Sequence, residues 1–233
     1  MHTKEELYSN KIFFNAALPL VKVIANDVPS LKKQFAKVHA IIQVTADDPD
    51  AEGGKVGMHY VVNGDEWLVH LNKVDPNPHV ELEFKSVEAM NAFFKGKISP
   101  ATLPKMHGVL KNFGAFKAFL MTLLKMSSLL SATEPPKDDE TKELMVKCFF
   151  YLLSSGISQL NKMGHEDIHD WTSKSPDRVY AWAVNGYPQV SAYLRIKAGK
   201  SRAGRGEYKR AMPFFTLRFD SLDSALGILL GTD

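Results

Sequence analysis

The chain has 233 residues, 45% of them hydrophobic, and 29 basic against 26 acidic side chains for a formal charge of +3. That is enough apolar material for one large domain or two small ones, and too little net charge to imply a polyanion partner for the chain as a whole. A single cysteine, Cys148, lies in the apolar run KCFFYLL, so no disulfide framework is available within the chain, and Cys148 reads as a small buried hydrophobe.

The amino terminus, MHTKEELYSNK, is polar and carries acids, unlike a secretory leader, and the longest apolar runs are broken by charges such as Lys22 and Lys117. The expectation is a soluble, cytoplasmic protein. Residues 5–36 carry helical spacing through Ile12, Phe13, Ala16, Leu18, Val21 and Ile24. Pro19 implies a kink there, and Pro29 sits near the start of a shorter helix. The period then changes to strand-like runs at 39–46 (HAIIQVTA), 56–62 (VGMHYVV) and 67–71 (WLVHL), with Asn63-Gly64 between the last two as a hairpin signal. Residues 79–84 (HVELEF) alternate cleanly. Ser86 then caps a short helix over 86–96, and 105–111 reads as one more strand.

Residues 113–132, FGAFKAFLMTLLKMSSLLSA, form the most apolar helical segment. At 100° per residue, Phe113, Phe116, Phe119, Leu120, Leu123, Leu124, Met126 and Leu130 share a broad face. Lys117, Thr122, Lys125 and Ser128 lie on the other side. Such a face serves either as a core stripe or as the wall of a lipid-sized apolar pocket, and Met and Phe adapt to variable partners. Residues 133–139 (TEPPKDD) read as a linker, followed by a helix over 140–162. Strands at 179–184, 190–196 and 214–219 and a helix at 221–230 then repeat the earlier order. PHVELEFKSVEAMNAFFKGK and PFFTLRFDSLDSALGILLGTD share a proline, an alternating strand, a serine and a short apolar helix ending in glycine. The chain thus reads as a tandem duplication whose second copy stops at Asp233.

Residues 79–124, with Gly96-Lys97, Ser99-Pro100, Gly108 and the helix from Gly114 in place, resemble the C-terminal half of sterol carrier protein-2 domains. The stretch GKSRAGRGEYKRAMPFFTLRFDSLDSALGILLG is similar to the front of the same domain. The resemblance implies an α+β fold: a mostly antiparallel five-stranded sheet with helices covering one face, in two tandem copies. The first copy would occupy 1–132, the linker 133–139, and the second, incomplete copy 140–233. It implies binding or transfer of a sterol, fatty acid, acyl-CoA or isoprenoid in an apolar tunnel, with no catalytic residue, metal or cofactor. Carried onto this sequence, the tunnel lining would be Phe93, Phe94, Leu110, Phe113, Phe116, Phe119, Leu120, Leu123 and Leu124.

Other patterns compete with that expectation. His165-Glu166-x-x-His169 is a literal H-E-x-x-H, the signature of a zinc hydrolase, but its flanks are polar and no third ligand is apparent. Asp48, Asp50 and Glu52 imitate the start of a calcium loop that would close on His59 instead of glutamate. Gly199-Lys200-Ser201 imitates a phosphate-binding loop whose leading glycine position holds Leu194. Lys197, Lys200, Arg202, Arg205, Lys209 and Arg210 form the basic cluster of the chain. It reads as a solvated hairpin or as a transient contact with an anionic membrane surface, and nucleic acid is disfavoured because Tyr208 alone is interleaved for stacking. An interaction or scaffold module without bound lipid is the main alternative.

Overall fold

The computed structural model describes residues 3–232, which divide into two compact units, one of residues 3–14 with 21–127 and one of 15–20 with 128–232. In the first, Thr3 caps helix α1 (Lys4–Ile12) by accepting from the Glu6 amide while Glu6 accepts from Thr3, a reciprocal capping box. A π-helical turn (Phe13–Ala17) and Pro19 separate α1 from α2 (Leu20–Asp27), as the missing proline donor requires. Pro29 then opens α3 (Pro29–Phe35).

Strands β1 (His39–Asp47), β2 (Lys55–Asn63), β3 (Glu66–His70), β4 (Val80–Phe84) and β5 (Lys105–His107) form a sheet in the order β3-β2-β1-β4-β5. β1 pairs with β4 in parallel and the other neighbours are antiparallel. α4 (Val87–Phe94) is capped by the Ser86 hydroxyl, which accepts from the Ala89 amide, and α5 (Phe113–Leu130) closes the unit. Ile42, Val44, Met58, Tyr60, Leu82 and Phe84 occupy one face of the sheet and are buried. The Tyr60 ring meets Phe119 of α5 at 5.7 Å, and Phe84 meets Phe93 of α4 at 5.4 Å, so the core lies between the sheet and its helices.

A strand parallel to β1 on the side away from the hairpin cannot be reached by a tight turn. Residues 71–79 therefore cross the second face of the sheet, where buried polar side chains meet their backbone. Gln43 accepts from the Asp75 amide at 2.6 Å and donates to the Asp75 carbonyl at 3.3 Å, and His59 Nδ1 lies 2.8 Å from the Lys73 carbonyl oxygen. Gln43 and the Thr45 hydroxyl also donate to one oxygen of Glu81. Gln43, Thr45 and His59 are buried, and buried polar side chains need partners, which the exposed crossing chain and Glu81 supply.

The second unit repeats this plan. Helices α6 (Asp139–Lys162) and α7 (Glu166–Lys174) precede β6 (Arg178–Val184), β7 (Ala192–Lys197), β8 (Lys200–Arg205) and β9 (Phe215–Phe219), in the order β8-β7-β6-β9, and α8 (Leu222–Leu230) follows. β6 and β9 are parallel, and the ladders match position by position: Ile42 pairs with Val80 as Tyr180 pairs with Phe215, and Ala46 with Phe84 as Val184 with Phe219. The amide leading into each ladder is also equivalent, His79 donating to Ile41 and Phe214 to Val179, both at 2.9 Å. Ser221 caps α8 as Ser86 caps α4. The fold is thus α+β with two tandem sheet-bearing units. The sheets are mixed, and the second has four strands, with no counterpart of β5 among the described residues, as expected of an incomplete second copy. Residues 108–111, expected to extend the last strand, form a turn.

Replacement of Gln43 by leucine keeps the volume but leaves the Asp75 amide without its acceptor. Losing the hydrogen bond at this half-buried amide costs about 0.5–1.5 kcal/mol, so thermal unfolding should move down by roughly 2–4 °C for each kcal/mol. An unchanged midpoint would show that Gln43 does not secure the crossing chain.

Candidate functional site

The direction of α5 is set where the crossing chain, β5 and the helix meet. Gly108 has φ +72°, and a Cβ there would lie 1.9 Å from the His79 carbonyl oxygen, so the turn requires glycine. Asn112 donates to the His79 carbonyl at 2.9 Å and to the Gly108 carbonyl at 3.2 Å, tying the start of α5 to the entrance of β4.

From that anchor α5 presents two apolar faces. Ala115, Ala118, Phe119, Thr122, Leu123, Met126 and Leu129 are buried and span about 140° of the helical wheel. Phe113, Phe116, Leu120, Met121 and Leu124 lie on the opposite side and are exposed or half-buried. The face expected from sequence straddles the two, so it corrects in phase by nearly a quarter turn. Thr122, expected on the polar side, is fully buried because its hydroxyl donates to the Ala118 carbonyl at 2.8 Å. α5 is 18 residues long with mean hydropathy 1.3, about the length and composition that would cross a bilayer, while its inner stripe is packed in the unit. From sequence, no segment was expected to reach that threshold.

The nine residues expected at an apolar tunnel fall into three settings. Phe119 and Leu123 are core residues. Phe93 and Phe94 are half-buried in an aromatic cluster with Phe13 and Phe84, the Phe13 and Phe94 rings lying 4.5 Å apart. Leu110, Phe113 and Leu124 face solvent at 96%, 60% and 57% exposure, with Phe116 and Leu120 half-buried beside them. In the segment before α5, Ile98, Leu103 and Met106 are exposed as well. Those three and Met121 were missed in the sequence. Met121 was legible on the helical wheel, whereas Ile98 and Leu103 lie in irregular chain and Met106 in the three-residue strand β5, too short for a periodic signal.

Polar side chains secure the neighbouring edge of the sheet. Glu83 takes hydrogen bonds from Lys55 at 2.5 Å and from His107 of β5 at 2.7 Å. The Lys55 hydrogen bond, and after it the His107 bond, hold the Glu83 carboxyl below its ordinary range. The hydrogen bond to Glu83 holds Lys55 above its own.

The remaining motifs assemble no reactive centre. His165 stands at the N-cap of α7, ahead of the helix, and His169 Nδ1 lies 3.3 Å from the Asn161 side-chain oxygen. No group of three or more His, Cys, Asp or Glu side chains among the described residues is placed to hold a metal ion. Asp48 begins a turn in which its carboxylate accepts from the Asp50 amide, and Ser201 hydrogen bonds with Ser158.

No family model matches the chain, and no curated protein matches it. Among solved structures, a conserved hypothetical protein from Thermus thermophilus, described as a possible sterol carrier protein, aligns with 59% of this chain and 94% of its own. The identity is 10% and the TM-score 0.34.

The Glu83 interaction carries a pH signature. Its folded-state pKa is depressed, so its contribution is complete above the unfolded-state value and disappears as pH falls through the folded-state value. The stability difference between the wild type and Glu83→Gln should therefore be largest near neutral pH and shrink on acidification below about pH 4. A difference that stays constant down to about pH 3 would show that the carboxylate is not the stabilising group.

Proposed function

We propose that this chain is a non-enzymatic lipid-binding protein, and that the first unit holds the apolar part of a sterol or fatty-acyl ligand against the outward face of α5 and the segment before it. The observation that supports this is the double-faced helix. A helix whose core stripe is already buried has no structural need for Phe113, Leu120, Met121 and Leu124 on its other side. Those side chains are flexible or aromatic, suited to a surface that moulds itself to a ligand. Each methylene withdrawn from water contributes about 0.8 kcal/mol, so part of one acyl chain supplies a useful affinity without hydrogen bonds. Lys117 lies on the same outward side and is exposed, where it can meet an anionic head group.

The two faces make the test selective. Leu124→Asp alters the outward face, and Phe119→Asp puts a charge into a position with 0% exposure. In a titration with a fluorescent fatty acid, Leu124→Asp should lower affinity by about tenfold, near 1.4 kcal/mol, with a midpoint of unfolding close to that of the wild type. Phe119→Asp should instead lose its cooperative unfolding transition. Wild-type affinity in a folded Leu124→Asp protein would remove the outward face from the site. Capture of a partner protein by the same face, with no lipid bound, would favour a scaffold role.

A further inference from the structure

The helix-free face of the second sheet differs from its counterpart in the first. Where β1 and β4 place Gln43, Thr45, Glu81 and Glu83, the equivalent positions of β6 and β9 hold Ala181, Ala183, Thr216 and Arg218. On the same face, the β7–β8 hairpin sets Arg195 directly opposite Arg202, and Lys197 directly opposite Lys200. Like charges in directly opposed positions repel and destabilise a hairpin. Asp177 pairs with Arg195 at 2.9 Å and is the acid that ion-pairs with this grid among the described residues. Between positions 195 and 218 the chain carries eight basic side chains and one acid, Glu207. A concavity of about 400 Å³ lies among Arg195, Lys197, Lys200 and Arg202.

The connection from β8 to β9 runs over this face, since Tyr208 packs on Tyr193 at 5.0 Å. It adds Lys209 and Arg210 and, two positions after Arg210, Met212, which is 94% exposed. Cations around a projecting apolar side chain are the pattern of a surface that meets a lipid interface, where the charges face phosphates and the apolar group enters the acyl boundary. Nucleic acid fits less well. The Tyr193 ring lies against the backbone of Gly204, where a Cβ would come within 2.0 Å of it, and its edge meets Tyr208, so both tyrosines of this face are occupied and cannot stack on bases.

We infer that the helix-free face of the second unit, centred on the Arg195–Arg202 and Lys197–Lys200 pairs, docks on an anionic bilayer surface. The bilayer phosphates and carboxylates add countercharge around Lys197, Lys200 and Arg202, beyond the Asp177 that pairs with Arg195. Docking here does not require ligand uptake by the first unit, and either property can fail without the other.

The test is co-flotation of the full chain with vesicles of phosphatidylcholine alone or with about one third phosphatidylserine, at about 0.1 M salt. Binding should depend on phosphatidylserine and weaken at about 0.5 M salt. At about 1 kcal/mol for each basic residue near an anionic surface, Lys200→Ala/Arg202→Ala should reduce partitioning about thirtyfold. Lys200→Arg/Arg202→Lys should retain it. Both positions are exposed, so the alanine pair should fold, with a midpoint of unfolding equal to or above that of the wild type because repulsion is relieved. Equal binding to both vesicle types, or full binding by the folded alanine pair, would overturn the proposal. Tighter binding to a single-stranded oligouridylate than to phosphatidylserine vesicles at the same salt would also overturn it, assigning the face to nucleic acid.

Discussion

Each unit depends on one parallel strand pair. β4 lies beside β1, and β9 beside β6, on the side away from the hairpin. The chain must therefore leave the far edge of the sheet and cross an entire face to start the fourth strand. That crossing dedicates one face to the connection and leaves the other to the helices. It also brings a serine-capped helix onto the core immediately after the parallel strand in both units. Changes in what covers each face then allow two copies of one plan to differ in what they present.

The two crossings are held by different chemistry. In the first unit, buried Gln43 and His59 hydrogen bond to the backbone of the crossing chain, and Glu81 and Glu83 draw in Thr45, Lys55 and His107. In the second, the equivalent positions on β6 carry alanine. The crossing chain is secured by ring packing, Tyr208 on Tyr193 and Phe214 on Tyr180, with the Arg178 guanidinium 3.7 Å from the Phe214 ring centre. Freed of acidic partners, that face carries arginine and lysine outward, while the first unit keeps a neutralised polar array there and places its surplus apolar surface on α5.

Much of the plan was legible in the sequence. Alternation in HVELEF and FFTLRF marked the two strands that enter parallel ladders, and the serines after them marked the helix starts. The recurrence of this block showed the duplication. Strand direction was not legible, because alternation is the same for parallel and antiparallel neighbours. The phase of α5 was misjudged for two physical reasons. Small Ala115 and Ala118 carry little hydrophobic weight yet allow close packing, and Thr122 satisfies its hydroxyl within the helix and so can be buried. The part that Gln43 and His59 play in holding the crossing chain was not legible, because their partners lie 32 and 14 positions away in a connection with no pattern of its own. His165 and His169 match a ligand pair on paper, but His169 lies against the Asn161 side-chain oxygen and no third ligand stands with them among the described residues.

The central claim is that the outward apolar surface of the first unit exists to hold a lipid. Native mass spectrometry of the freshly purified full chain tests it most directly. A lipid-binding protein shows adduct peaks at the mass of an acyl or sterol ligand, which organic extraction removes and added fatty acid or sterol restores. A bare protein mass that does not change on incubation with either ligand would contradict the claim.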